Sequence, residues 1–395
     1  MAGRAVGAGL FDVVSLGFEA TFLKSGAGFR PMVEQALSQA GITLNGSEDW
    51  DIQVHKDRFY SEVLLKQSLG LGETYMKGDW SVRRLDLFIE RLLRSELSHR
   101  KPMPNVLFRE FLSRVTNLQS RHRASIVCRQ HYDLDLELFK HMLDERMVYT
   151  CAYWKNADTL EQAQVNKLEL ICNKLGLQPG MKLLDIGCGF GSLMKYAAET
   201  RGVSCVGYSL SEMQTAHGRT LCSGLPVEFV LDDYRNIKGT FDRVVSVGML
   251  EAVGFKNLGT FMSVVRSALS SDGYALIHTV GHNHSTFIAD PWVDRYIFPN
   301  GHLPSVSQLG ESIEHRFVLE DVHNFGPDYA LTLMEWNNRF QRSWPDLKSR
   351  YSEEFKRMWE FYLLSFAAGF RARRWQLLQL ILTPIGRVQP ECRFS

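Results

Sequence analysis

MKLLDIGCGFG, at positions 181–191, is the stretch that decides the predicted fold of this 395-residue chain. Its first eight residues form a short apolar run of the kind that becomes a buried parallel strand. Glycines 187, 189 and 191 follow, and the pattern then becomes helical in SLMKYAAETRG. Because glycine has no Cβ, such a loop turns tightly and lets the backbone approach a ligand. The stretch therefore predicts a strand, a ligand-binding loop and a helix, although a purely structural turn would also hold glycines.

Strand and helix patterns alternate on both sides of this loop. LEQAQVNKLELICNKLGL before it predicts an amphipathic helix, and VSCVGYSL after it predicts a second strand. SEMQTAHGRTLC predicts a helix with Ser211 as its N-cap. VEFVLDD, DRVVSVGM and YALIHTV predict three further strands. This alternation predicts an α/β fold with a doubly wound, Rossmann-like sheet.

The residues near the loop favour one class of cofactor. The glycine spacing is GxGxG, whereas dinucleotide folds carry GxGxxG and an acidic residue after the second strand. Here that position belongs to the uncharged stretch GYSLS, and Ser209 and Gln214 offer neutral hydrogen-bond partners. Asp233 and Tyr234 follow the third strand, where a carboxylate beside an aromatic ring suits adenine. The pattern argues against NAD and is compatible with a sulfonium cofactor, which needs no phosphate cradle.

A set of ordered motifs between about 131 and 373 resembles the cyclopropane-fatty-acyl-phospholipid synthases, relatives of the mycolic acid cyclopropane synthases. Each motif alone is weak evidence, but together they are specific. They are HYD at 131–133, YTCAYW at 149–154, LLDIGCGFG at 183–191, VGMLE at 247–251, LIHTVG at 276–281, YIFPNG at 296–301, HNFG at 323–326, Tyr329, and FRAR at 370–373.

The resemblance implies a class I S-adenosylmethionine-dependent methyltransferase domain that transfers a methylene group. Its substrate is the cis double bond of an unsaturated phospholipid acyl chain, its product is a cyclopropane ring, and bound bicarbonate deprotonates the carbocation. The implied bicarbonate cradle is Cys151, Glu251, His278, the backbone at Val280, and Tyr329. The predicted cofactor-binding residues are Tyr149, Thr150, Asp185, Gly187, Gly189, Gly191, Ser209, Gln214, Asp233 and Tyr234.

Each cradle residue also has a simpler interpretation. His278 ends an apolar strand and can be a core histidine with ordinary hydrogen bonds. Cys151 can be a small buried apolar residue, and Tyr329 can be an interface aromatic. Glu251 follows an apolar strand, so a buried carboxylate there requires a partner. We expect it to accept a proton from the bicarbonate or to orient His278, because two bare anions repel each other.

Three positions depart from the family pattern. Ala252 stands where relatives often have His, which removes a polar neighbour of Glu251. Asp135 and Leu136 stand where Gly and Asn are common. Phe366 occupies the place of a cysteine that some members carry, so thiol catalysis is not expected there.

The chain divides into three predicted parts. Residues 1–90 form a smaller N-terminal α+β domain, which by analogy engages lipid or forms a homodimer. The stretch 91–129 carries nine Arg or Lys against two Glu and predicts a basic helical linker, either simply solvated or facing anionic headgroups. Residues 130–395 form the catalytic domain. Within it, about 282–375 is aromatic-rich and is predicted as an insertion whose rings partly line an acyl pocket.

Composition limits the partners. A net charge of +1 excludes global attraction to nucleic acid, so none is predicted as a partner. Seven scattered cysteines without a CxxC pair favour free thiols in a reducing compartment. With no signal pattern and no run of 18 apolar residues, we expect a cytoplasmic protein in peripheral contact with unsaturated phospholipids.

Two clusters of polar residues in the aromatic-rich part, one of histidines and one of arginines, are considered as binding sites for a metal ion and for lipid phosphate. His282 and His284 lie two residues apart without a carboxylate or cysteine at ligand spacing, so no metal site is predicted. Arg371, Arg373 and Arg374 form either a solvated helix face or a contact with lipid phosphate.

Two other functions remain open at this point. A C- or N-methyltransferase of the same superfamily would transfer the methyl group without closing a ring. A lipid-binding module could retain an inactive methyltransferase fold, although the complete glycine loop together with the cradle residues argues against it.

Overall fold

The computed structural model describes residues 28–95 and 136–394. Most of the predicted basic linker and the HYD motif lie outside these ranges. The helices are α1 (Phe29–Gln39), α2 (Arg58–Lys66), α3 (Ser68–Met76), α4 (Leu85–Arg94), α5 (Leu136–Met142), α6 (Leu160–Lys174), α7 (Ser192–Arg201), α8 (Glu212–Leu221), α9 (Leu258–Ala268), α10 (Pro291–Tyr296), α11 (Val306–Ile313), α12 (Gly326–Leu347) and α13 (Glu353–Arg371). The strands are β1 (Gln53–Val54), β2 (Trp80–Ser81), β3 (Lys182–Ile186), β4 (Ser204–Ser209), β5 (Val227–Leu231), β6 (Phe241–Val247), β7 (Leu269–His282), β8 (Phe317–Asn324) and β9 (Trp375–Pro384).

A seven-stranded sheet forms the centre of the catalytic part, in the order β5-β4-β3-β6-β7-β9-β8. The first five strands are parallel, whereas β9 runs antiparallel to both β7 and β8. Separate apolar clusters cover the two faces of the sheet. The predicted doubly wound α/β sheet is present, with its five predicted strands in place.

Two strands of this sheet lie where the sequence analysis predicted none. β9 is buried along nearly its whole length between β7 and β8, so its apolar run has no alternation to mark it. β8 is an edge strand with a largely exposed burial pattern. β8 lies within 282–375, so that aromatic-rich stretch supplies one edge strand of the sheet.

The N-terminal residues contain a two-stranded antiparallel sheet of β1 and β2 surrounded by α1–α4. The stretch YSEVLLKQSLGLGETYM has helical spacing throughout, but it forms two helices, broken at Gln67, whose φ is 54°. At Gly70 a Cβ would collide with the backbone carbonyl of Glu62. The break lets α2 and α3 pack this closely, which one straight helix cannot do.

The N-terminal helices pack against α13 through a buried charge cluster. Arg371 donates hydrogen bonds to Asp86 at 2.8 Å and to Glu90 at 2.7 Å. Burial alone would raise the pKa of Asp86, but hydrogen bonds from Arg84 and Arg371 bring the pKa below its usual value. Arg374 donates to the backbone oxygen of Leu93 at 3.0 Å. Two of the arginines considered for lipid phosphate therefore join α4 to the catalytic part.

Among the described residues, no helix combines the length and the apolar character needed to cross a bilayer.

We predict that Arg371→Met lowers the free energy of unfolding by about 1–3 kcal/mol, because it removes a charged partner from the buried Asp86 carboxylate. Urea denaturation measures this change. The matched control is Arg342→Met, which breaks an ion pair with Glu335 on an arginine that is 70% exposed. The control should change stability by no more than about 0.5 kcal/mol. Equal losses in both variants would contradict the structural importance of the cluster.

Candidate functional site

The carboxyl ends of β3, β4 and β6 open into a first cavity, because parallel neighbouring strands end at the same edge of the sheet. Nine of the ten predicted cofactor residues line it. They are Tyr149, Thr150, Asp185, Gly187, Gly189, Ser209, Gln214, Asp233 and Tyr234. The structure thus collects these residues from four separate stretches of sequence around one space.

The glycine loop forms the floor of this cavity. Gly187 has a φ of 85°, and a Cβ there would come within 2.6 Å of the Met249 Cβ. Gly189 has a φ of 53°, and a Cβ there would meet nothing within 4 Å. Gly191 is absent from the cavity wall and instead precedes α7, where a Cβ would collide with Phe229. Gly191 therefore serves packing against Phe229, and its predicted contact with the cofactor stays a prediction, since its neighbours Phe190 and Ser192 do line the cavity.

The opposite side of the cavity carries polar groups, and most of them already form hydrogen bonds within the protein. Ser211 caps α8 as predicted, accepting a hydrogen bond from the backbone nitrogen of Gln214. The Asp233 carboxylate accepts hydrogen bonds from the backbone and side chain of Arg235, at 2.9 and 2.8 Å. Tyr234 packs its ring against Phe261. These contacts hold the end of β5 in place beside the cavity.

A buried lysine on α6 and a buried aspartate on β3 line the first cavity. Asp185 is 3% exposed, and its Oδ1 has no hydrogen-bond partner among the described residues. Burial raises the pKa of Asp185 to about 7, while Lys167 opposes the shift. Lys167 is 2% exposed and donates a hydrogen bond to Thr150 Oγ1 at 2.9 Å. Burial lowers the pKa of Lys167 to about 8, although Asp144, Cys151 and Asp185 act against it.

Lys167 was missed in the sequence analysis. The signal was present, because buried residues of α6 recur at three- and four-residue spacing from Leu160 and Ala163 to Leu168 and Ile171. Lys167 occupies a position on this buried face. A lysine at a core position of an amphipathic helix requires a polar partner or a ligand.

A second, largely aromatic cavity adjoins the first. Four residues, Tyr149, Thr150, Gly248 and Ala252, line both cavities. Its aromatic wall comprises Phe298, Tyr329, Tyr362, Phe366 and Trp375. These aromatics belong to the predicted acyl-pocket stretch, and Phe366 is the residue that replaces the family cysteine.

Glu251 brings a carboxyl group into the second cavity. Its Oε1 accepts a hydrogen bond from the backbone nitrogen of Val280 at 2.6 Å. Its Oε2 is buried and has no hydrogen-bond partner among the described residues. Burial raises the pKa of Glu251, while the Val280 hydrogen bond acts in the opposite direction. This carboxyl group is therefore suited to exchange a proton with a group held in the cavity.

The predicted cradle is only partly assembled at the wall. Glu251, Val280 and Tyr329 line the second cavity, whereas Cys151 and His278 do not. Cys151 is fully buried, and burial raises the pKa of its thiol. The predicted orientation of His278 by Glu251 is not observed, because the His278 Nδ1 is 3.1 Å from the amide Nε2 of Gln379.

His278 is a neutral side chain in this environment. It is 2% exposed, and burial lowers its pKa well below the usual value, with Lys167 and Lys174 acting in the same direction. If the Gln379 amide donates to Nδ1, the ring proton lies on Nε2. His278 then offers one N–H donor and no positive charge.

The histidine pair considered for metal binding has its own geometry. His282 lies 6% exposed in the wall of the second cavity, and its ring centroid is 4.2 Å from that of His284. Within residues 28–95 and 136–394, no group of three His, Cys, Asp or Glu side chains is arranged to hold a metal ion.

Comparison with known proteins agrees with this geometry. The family model described as mycolic acid cyclopropane synthetase matches residues 119–380. The cyclopropane-fatty-acyl-phospholipid synthase of Escherichia coli strain K12 is 48% identical over 356 residues, covering 89% of this chain and 92% of the relative. Tuberculostearic acid methyltransferase UfaA1 of Mycobacterium tuberculosis is 31% identical, covering 77% of this chain and 76% of the relative.

The fold of the chain is also similar to that of a solved structure. Mycolic acid cyclopropane synthase CmaA1, complexed with SAH and CTAB, has a TM-score of 0.62 and 31% identity, covering 65% of this chain and 97% of that chain. The predicted resemblance and the methyltransferase fold are thereby confirmed. The chain belongs to the mycolic acid cyclopropane synthetase family and is an S-adenosylmethionine-dependent cyclopropane fatty acyl synthase.

Proposed function

We propose that this enzyme transfers a methylene group from S-adenosylmethionine to the cis double bond of an unsaturated phospholipid acyl chain, with bicarbonate as the base. The observation that carries the proposal is the shared wall between a polar glycine-loop cavity and an aromatic cavity that contains a buried carboxyl group. Such a wall brings the methyl group of a bound cofactor close to an apolar chain, while each ligand occupies its own cavity.

The first cavity fits the cofactor. Gly189 leaves open space where a side chain would fill it, and the buried Asp185 Oδ1 still needs a hydrogen-bond donor. Ser209 and Gln214 supply neutral polar groups, and Tyr234 supplies an aromatic side chain. When bound, S-adenosylmethionine supplies an electrophilic methyl group. The role of the surrounding residues is to orient this group towards Tyr149 and Thr150, which also line the second cavity.

The second cavity fits an acyl chain. Its aromatic wall removes apolar surface from water, and ring faces stabilise a positive charge that develops on the chain. Tyr149, which lines both cavities, is held by a 3.1 Å contact between its hydroxyl and that of Tyr362. Phe366 offers no nucleophile, so a cation formed nearby is not captured by a thiol.

The cradle residues hold a base instead of being one. A small bound anion supplies the basic oxygen that receives the proton lost on ring closure. Glu251, whose pKa burial raises, is proposed to accept a proton from that anion, which avoids placing two bare charges together. Tyr329 lines the same space, whereas His278 and Cys151 lie outside it, buried on β7 and in the segment after α5, and their part in the cradle rests on the family resemblance.

Phospholipid specificity and membrane contact belong to the same proposal. The Escherichia coli relative is named for acyl phospholipids. Residues 1–90 and 91–129 are proposed to approach the lipid surface, the first as a lipid-engaging or dimer-forming part and the second through its basic residues. The enzyme would then act in the cytoplasm at the membrane surface, with unsaturated phospholipids as partners.

Methyl transfer without ring closure is a second candidate function. A relative with 31% identity is named a tuberculostearic acid methyltransferase. The two outcomes differ in whether the transferred carbon loses a proton to the bound base. The buried Oε2 of Glu251 favours a site built around proton removal.

We predict that the enzyme adds one CH₂ unit to monounsaturated phospholipids in vesicles supplied with methyl-labelled S-adenosylmethionine. Lipid mass spectrometry measures the added mass, and NMR identifies the ring. The control is vesicles of fully saturated phospholipid, which should take up no label. A methyl branch, an exocyclic methylene group or a methylated nitrogen would contradict ring closure.

We predict that Glu251→Gln keeps cofactor affinity but lowers kcat by at least about 100-fold, because an amide cannot exchange the proton. Calorimetry with S-adenosylhomocysteine and the lipid assay measure the two properties. Glu228→Gln, an exposed change on β5, is the matched control and should retain full activity. Wild-type turnover by Glu251→Gln would remove Glu251 from the mechanism.

A further inference from the structure

A buried lysine lies in the wall of the cofactor cavity without a described ion-pair partner. Lys167 is 2% exposed on α6, and its Nζ donates to Thr150 Oγ1 at 2.9 Å. An ammonium group forms up to three hydrogen bonds. In the described parts of the chain, no carboxylate forms an ion pair with it, so the cavity is the remaining direction for its charge.

Thr150 is held so that its hydroxyl proton is also available. Gln164 donates to the Thr150 carbonyl at 2.9 Å, and Lys167 donates to the Thr150 hydroxyl oxygen. Since that oxygen already accepts from an ammonium, its own proton points to another acceptor. No described residue accepts this proton, and Thr150 lines the first cavity. Lys167 and Thr150 therefore present two donors to the same space.

Neither nearby carboxylate accepts a hydrogen bond from Lys167 or from the Thr150 hydroxyl. Asp144 is occupied by the backbone nitrogens of Arg146 and Val148, at 3.1 and 2.9 Å. Asp185 lies in the cavity wall with an unpartnered Oδ1. Lys167 and Asp185 act on each other's pKa but form no ion pair in the described residues, so the cavity presents a cationic donor and, separately, a carboxylate oxygen without a donor. Their ligand carries an anion and a donor close together, as the amino-acid end of an α-amino acid derivative does.

We propose that Lys167, together with Thr150, binds the α-carboxylate of the cofactor's methionine moiety, while Asp185 faces its α-ammonium group. This inference rests on the proposed function, because it takes S-adenosylmethionine as the ligand. It adds a direct carboxylate-binding residue on α6, ahead of the glycine loop in sequence. The same contact fixes Thr150, so that cofactor binding orders the wall of the second cavity.

The test compares two ligands that differ only in the carboxylate, S-adenosylmethionine and its decarboxylated form. Calorimetry measures the affinity of each for the wild type and for Lys167→Met. We expect the variant to bind S-adenosylmethionine about 10- to 100-fold more weakly, which is the loss of a hydrogen bond to a charged group. Its affinity for the decarboxylated ligand should stay within about threefold of the wild type.

Lys174→Met is the matched control. Lys174 lies on the same helix two turns later, is also fully buried, and also has a pKa lowered by burial to about 8. Its Nζ lies 3.6 Å from Asp321, and it does not line the cofactor cavity. Lys174→Met should leave the ratio of the two affinities unchanged, even if it alters stability.

A second pair of variants covers the case in which Lys167→Met does not fold, which circular dichroism detects. Thr150→Val removes the hydroxyl and should weaken S-adenosylmethionine more than the decarboxylated ligand, whereas Thr150→Ser should retain the wild-type ratio. Equal losses of both ligands in Lys167→Met, or in Thr150→Val, would overturn the inference. Failure of the wild type to bind S-adenosylmethionine would instead contradict the proposed function.

Discussion

The enzyme has to bring a charged cofactor and an apolar chain together across one shared wall. Charges are costly in an apolar environment unless they are paired or bound to a ligand. Tyr149 and Thr150 line both cavities, and each is held from a separate direction. Lys167 fixes the Thr150 hydroxyl, and Tyr362 contacts the Tyr149 hydroxyl. The proposed chemistry depends on these contacts, because they decide where the methyl group and the double bond meet.

The aromatic cavity is stabilised by what lies outside it. Its wall includes side chains of α13, and the outer side of α13 packs against the N-terminal helices through Arg371, Asp86 and Glu90. Trp292 of α10 packs so closely on Gly72 of α3 that a Cβ there would collide with its ring. The N-terminal part therefore supports the chamber directly, whatever else it does at a lipid surface.

Local patterns predicted much of the catalytic fold. The alternating strands and helices and the Ser211 cap follow from period, capping and turn chemistry, which act within about ten residues. β9 was not predicted, because a strand buried on both faces loses the alternation that identifies strands. Lys167 was not predicted, because a charged residue on a helix is usually solvated, although its spacing from Ala163 and Ile171 put it on the apolar face of α6.

By itself, the sequence determined the fold class, the family, and the residue types that the proposed chemistry needs. Tertiary structure decided which of those residues share a cavity. Glu251 meets Val280 across 29 positions, and His278 meets Gln379 across 101, through packing and strand pairing that no local pattern encodes. The same packing places Glu251 and Tyr329 on the chamber wall and leaves Cys151 and His278 out of it. Local interactions determine each helix and strand. Which side chains come into contact depends on how these elements pack to bury their apolar faces.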